Sequence, residues 1–213
     1  MSFEKLHKAR KNFINNFKNK DHVILNGNNK ILISAPHGVS QVRLGKFKFS
    51  EIGSLSTALY LFNKTKSFFI AKTQNNNDDA NFDEVSSYKT SIKNLVKTNN
   101  IKYIIDFHGL SSKRDCDINL GTRLGQNIKT NENLLLDLYN TLNSNGFKTQ
   151  IDMPFMATKN TISSTMVDKF PNLWAVQIEI NCAITNKKEN YEKYQNLLNI
   201  LCEWINNLTK GTY

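Results

Sequence analysis

Cysteine is scarce in this sequence. The 213 residues hold three, Cys116, Cys182 and Cys202. Their odd number and the lack of any C-x-x-C spacing argue against a disulfide framework and a cysteine-based zinc site. Proline is as sparse, with three residues, and no proline- or serine-rich linker divides the chain. No apolar run approaches the ~20 residues of a membrane span. The opening MSFEKLHKARKNF has no apolar stretch of the kind a secretory signal needs. The expectation is a cytoplasmic protein with no membrane partner.

Arginine is rare among the basic residues. Of 28 Lys and Arg, four are Arg: Arg10, Arg43, Arg114 and Arg123. Net charge is +10 with a pI near 9.4. The lysines are scattered among many asparagines and form no run of five or six. That spread reads as a solvated surface rather than a nucleic-acid stripe. The charge also suits a small anionic substrate.

The chain suits one domain over residues 1–213, long enough to bury ~70% of its unfolded surface without staples. Helical spacing is expected over residues 2–18. His22–Asn26 and Lys30–Ala35 are short β-prone runs, and Asn26-Gly27 between them is a hairpin signal. Ser50 is expected to cap a helix over Glu51–Asn63. A strand at Phe68–Ala71, a loop at Asn75–Asn81, a helix at Asp83–Thr98 and a strand at Ile101–Phe107 follow. Then come a helix at Glu132–Asn143, strands at Phe147–Ile151 and Leu173–Ile180, and a C-terminal helix at Tyr191–Leu208. Helices alternating with continuous β-branched runs predict an α/β domain. Its sheet is expected to be mixed, mostly parallel and flanked by helices.

Four histidines divide into two kinds. His7, on an amphipathic helix, and His22, opening a strand, read as structural. His37 follows ILISAP and precedes Gly38; His108 follows IKYIIDF and precedes Gly109. Both fall at strand ends, and WAVQIEIN carries Glu179 and Asn181 to a third. In an open α/β sheet, ligands bind outside the carboxyl ends of the strands. Two imidazoles and acids at such an edge point to a divalent metal, with Glu51 as the best third ligand. Asp106, two residues before His108, is placed to take the second N–H of a ligating imidazole. A carboxylate inside the apolar strand VQIEI needs a partner or a task, so Glu179 is the candidate general base. Arg114, then Arg43 and Arg123, are candidates to grip a substrate carboxylate through paired hydrogen bonds. Asn181 is a further candidate substrate contact.

These segments resemble the N-formylglutamate amidohydrolase family. The matching pieces are APHG (residues 35–38), SEIGS (50–54), DDANFDE (78–84), DFHG followed by DINLGT (106–122) and AVQIEIN (175–181). They run in family order. SEIGS also looks like a segment of phage poly-γ-glutamate hydrolases. The resemblance implies a zinc-carboxypeptidase-like fold and hydrolysis of an amide bond next to a carboxylate. It implies one zinc held by His37, Glu51 and His108, with Glu179 as catalytic carboxylate. Two departures stand out. His37 and Glu51 are far apart, unlike the tight His-x-x-Glu of carboxypeptidases, and an expected Asn-Arg pair is Asn81-Phe82 here. The expected activity is zinc-dependent cleavage of an N-acyl amino acid or small peptide. Poly-γ-glutamate hydrolysis and a basic nucleic-acid-binding or nuclease role are the alternatives. A serine hydrolase ranks lower still, because no G-x-S-x-G elbow is present.

Overall fold

A computed structural model describes residues 2–210. Helix α1 (Phe3–Phe17) opens the chain. Strands β1 (His22–Leu25), β2 (Ile31–Ala35), β3 (Gln41–Arg43) and β4 (Lys46–Lys48) follow. Next come α2 (Ile52–Thr65), β5 (Phe68–Lys72), α3 (Ser87–Asn99), β6 (Tyr103–Leu110) and β7 (Ile118–Gly121). The chain closes with α4 (Asn133–Ser144), β8 (Thr149–Ile151), α5 (Ile162–Lys169), β9 (Trp174–Asn181), α6 (Cys182–Asn186) and α7 (Tyr191–Lys210). Among the described residues, no helix is long and apolar enough to cross a membrane.

Seven strands form one sheet in the order β1-β5-β2-β6-β9-β7-β8. The central β5, β2, β6 and β9 are parallel, and β1 and β7 run antiparallel to their inner neighbours. The fold expected from the sequence, a mostly parallel mixed sheet between helices, is the one observed. Continuous apolar runs are what such a buried sheet requires: every residue of β2, β5 and β9 is buried. One face packs on α1, α2, α4 and α7 through residues such as Leu55, Leu138, Leu201 and Trp204. The other packs on α3 and α5 through Tyr88, Ile92, Ile162 and Met166. The parallel strands therefore deliver their carboxyl ends to one edge.

Three local expectations fail for identifiable reasons. The Asn26-Gly27 hairpin does not form: β1 pairs antiparallel with β5, and β2 lies on the other side of β5. Gly27 instead lets the chain pass against backbone. A Cβ there would lie 2.3 Å from the Phe68 nitrogen. Because backbone cannot yield, Gly27→Ala is expected to cost about 1–3 kcal/mol, read as a lower urea midpoint at unchanged slope. Ser50 does not cap α2; its hydroxyl accepts from Arg10 (3.4 Å). Glu51 occupies the cap position without a side-chain cap bond. Helix α3 starts at Ser87 rather than Asp83, because Ser86 caps it and the Asp83 carboxylate accepts from the Asp79 N–H (2.8 Å). Residues 78–86 thus stay a loop beside the sheet edge. The hairpin β3–β4, strand β7 and helix α5 were not expected.

Candidate metal centre

The sheet edge assembles the site. His37 leaves the end of β2, and His108 lies near the end of β6, beside Glu179 on β9 in register. Glu51, freed from capping, turns its carboxylate toward both rings. His37 Nδ1 lies 2.8 Å from Glu51 Oε1 and 3.1 Å from His108 Nδ1. His108 Nδ1 is 3.3 Å from Glu51 Oε2. The Gly109 N–H donates to Glu51 Oε2 (2.8 Å). Glycine eases this approach: a Cβ at 109 would meet Glu51 Cβ at 3.0 Å, so that side chain would have to shift.

The other nitrogen of each ring is held by a buried acid. His37 Nε2 pairs with Asp79 Oδ1 (2.8 Å), and His108 Nε2 with Asp106 Oδ2 (3.0 Å). Asp79 and Asp106 are fully buried. Asp79 also accepts from Arg43 Nε (2.8 Å). Carboxylates behind imidazoles fix the tautomer, leaving Nδ1 of both rings as lone-pair donors at one point.

The donor set fits a divalent cation. One atom from each of His37, Glu51 and His108 lies within 4.8 Å of the other two. Tetrahedral bonds of the zinc type put ligand atoms roughly 3.3 Å apart. The separations above, 2.8 to 3.3 Å, lie at or somewhat below that value, with His37 facing one Glu51 oxygen and His108 the other. Two imidazoles and a carboxylate are also the donor types zinc takes. Without a cation, protons must relieve the crowding. Burial pulls the His37 pKa down, but the Glu51 and Asp79 carboxylates outweigh it and take it up to about 9. Burial likewise opposes the charge on His108, yet Asp106 and Glu51 hold its pKa well above the usual range. Burial disfavours the Glu51 charge, but the two imidazoles hold its carboxyl well below the ordinary value.

Glu179 is buried beside this cluster and accepts from Gln177 Nε2 (2.8 Å). Asn81 in turn donates to Gln177 Oε1 (3.2 Å). Burial raises the Glu179 pKa to about 7; His108 pulls it down and Glu51 pushes it up. All of this opens into a cavity of about 530 Å³, lined by His37, Glu51, His108 and Glu179 together with Gln41, Arg43, Lys48 and Phe82. Strand β3 thus offers Gln41 and Arg43 from alternate positions, on one face. Gln41 is 6% exposed, and its Oε1 has no partner among the described residues. A ligand N–H or O–H would satisfy it. The Arg43 guanidinium lies 4.9 Å over the Phe82 ring, so a cation reaches the place where the resemblance led us to expect an Asn-Arg pair.

Three expected substrate contacts lie elsewhere. Arg114 is not among the residues lining this cavity. It borders a separate recess with Asp115 and Lys148, and its guanidinium lies 5.8 Å over the ring of Phe155, which itself lines the cavity. Arg123 is committed to Asp168 (2.7 Å). Asn181 caps α6 and donates to the carbonyls of Arg114 and Cys116, which ties β9 to the loop before β7. His7 Nε2 donates to the Thr185 carbonyl (3.2 Å). His22 bridges Asp21 and Ser91 Oγ, joining β1 to α3. Asp79 and Gln41 escaped the sequence reading. Asp79 sits inside the quoted DDANFDE segment, whose density of acids was a usable signal; nothing local marked Gln41.

No protein-family model matches this sequence, and no curated protein matches it either. Solved structures do. Gene product Atu2144 from Agrobacterium tumefaciens has a TM-score of 0.68 at 10% identity, over 96% of this chain and 99% of that one. A bacteriophage poly-gamma-glutamate hydrolase has a TM-score of 0.54 at 14% identity, over 86% and 87%. A zinc-free form of YndL has a TM-score of 0.52 at 17% identity, over 90% and 94%. At these identities the likeness is one of fold.

Proposed function

We propose that this chain is a zinc-dependent hydrolase of an amide bond in a small anionic N-acyl amino acid or peptide. The observation that carries the reading is the convergence of His37, Glu51 and His108, each imidazole backed by a buried carboxylate, beside the buried Glu179 in one cavity. The fold shared with a protein named as a poly-gamma-glutamate hydrolase supports it. A cation held there supplies Lewis acidity toward the scissile carbonyl and makes nearby water easier to deprotonate.

The chain's own residues do the rest. Glu179, kept near neutrality by burial, takes a proton from the attacking water and returns it to the leaving nitrogen. Gln177, steadied by Asn81, orients that carboxylate. Arg43, anchored on Asp79 and backed by Phe82, receives the substrate carboxylate. Lys48, which also lines the cavity, adds positive charge on the same hairpin. Gln41 Oε1 accepts from a substrate N–H.

The direct test is hydrolysis of N-acyl amino acids and γ-linked glutamyl peptides by zinc-loaded protein. No turnover of any member of that panel would remove the reading. Arg43→Ala is expected to lower kcat/KM by about 10- to 100-fold, mostly through KM, with zinc content unchanged. Equal KM values in steady-state assays would exclude Arg43 as the carboxylate anchor.

A further inference from the structure

The cavity carries more apolar surface than a formyl or acetyl amide needs. Its volume of about 530 Å³ lies within the range of roughly 300–1,000 Å³ that encloses drug-sized ligands. Pro154, Phe155 and Met156 line one side, and Phe49 and Phe82 line it as well. Phe49 is 85% exposed, Phe155 41% and Met156 43%. Single exposed apolar residues are ordinary. Several gathered at one cavity mark a surface that a ligand covers.

The two sides of the cavity are distinguishable in the fold. Arg43 is bound to Asp79 and through it to His37, on the β2 side of the metal ligands. The Phe155 N–H donates to Asn119 (3.1 Å), and Asn119 is the cross-strand neighbour of Glu179, on the β7 side. A carboxylate on Arg43 and a carbonyl at the centre therefore leave the acyl group pointing toward Phe155 and Met156. In an N-acyl amino acid the carboxylate belongs to the amine half, so the acyl half is the one on the apolar wall.

We propose that the preferred substrate carries a bulky apolar acyl group, a short aliphatic chain or an aromatic ring, seated on Phe155 and Met156. This rests on the amide-hydrolase reading for its orientation. Phe155 and Met156 are specificity-determining residues, and short acyl amides are poor substrates. Met suits such a wall because its side chain adapts to several shapes.

The test compares N-acetyl-, N-hexanoyl- and N-benzoyl-L-glutamate with zinc-loaded full-length protein. The expected result is a kcat/KM at least about tenfold higher for the hexanoyl or benzoyl compound than for the acetyl one. Phe155→Ser and Met156→Ser change partly exposed side chains, so the fold should survive. They are expected to bring that ratio to within about threefold. A ratio near one in the unaltered protein, or a ratio unchanged in both variants, overturns the proposal. Calorimetric binding of the same three compounds to zinc-loaded Glu179→Gln protein separates the two readings. Tighter binding of the apolar compounds without cleavage by unaltered protein would keep the apolar wall and remove the hydrolase. Cleavage without acyl discrimination would do the reverse. No binding of any of the three overturns the apolar wall as well.

Discussion

Purified protein is expected to hold about one zinc per chain, and His37→Ala or His108→Ala to lose it. Three donors from separate segments meet within 4.8 Å, so removing one leaves a bidentate site whose remaining ring still sits on a buried acid. Asp79→Asn and Asp106→Asn are expected to be milder, with affinity falling about 10–100-fold, because they loosen ring orientation without removing a ligand. The effect of pH has a definite sign. The ion-free cluster holds protons that a cation must displace, and His37 keeps its proton up to about pH 9. Zinc affinity should therefore rise with pH toward that value and fall as the solution is acidified. Metal analysis after gel filtration and competition against a chelator at several pH values provide the check. Equal metal content in the unaltered and both His variants, or affinity that rises on acidification, would end the metal reading.

The sheet was legible because its buried central strands are continuous apolar runs, and a run such as WAVQIEIN admits few other placements. His37, His108 and Glu179 were legible for the same reason. Polar residues at the ends of buried strands have nowhere to go but the open edge. Pairing was less legible. Asn26-Gly27 carries a strong turn signal, yet close passage of backbone at Phe68 decided the topology. Strand β7 has four residues and helix α5 eight, so each carries too short a pattern to stand out in the sequence, although Ile162 and Met166 of α5 pack on the sheet. The anion contacts separated on tertiary grounds. Arg43, Arg114 and Arg123 look alike as loop arginines, and only the folded chain assigns one to the cavity wall and another to Asp168. Asp79 was hard to assign because its partner His37 is remote in sequence. Its loop is tied down nearby by Lys89, which donates to the carbonyls of Asp83 and the distant Asn160.

Glu179→Gln is expected to lower kcat by about 10²- to 10⁴-fold, the usual yield of a positioned acid or base, while zinc content stays at the unaltered level. The substitution keeps side-chain length and removes the charge, so it tests proton transfer rather than shape. Glu179 is adjacent to His108 across the β6–β9 ladder but is not in the cluster of metal-ligating atoms. Loss of its carboxylate should therefore spare metal affinity far more than His108→Ala does. Its present pairing argues the same way. Gln177 satisfies one oxygen and is itself held by Asn81, and Glu179 lines the cavity. Gln177→Ala should release that restraint and lower kcat by a smaller factor with little change in KM. Steady-state kinetics with metal content and circular dichroism measured on the same samples decide the matter. Full activity in the folded, zinc-bearing Glu179→Gln protein would move the proton transfer to another group. The hydrogen-bonded line from Asn81 to Glu179 would then be a device for stabilising β9 alone.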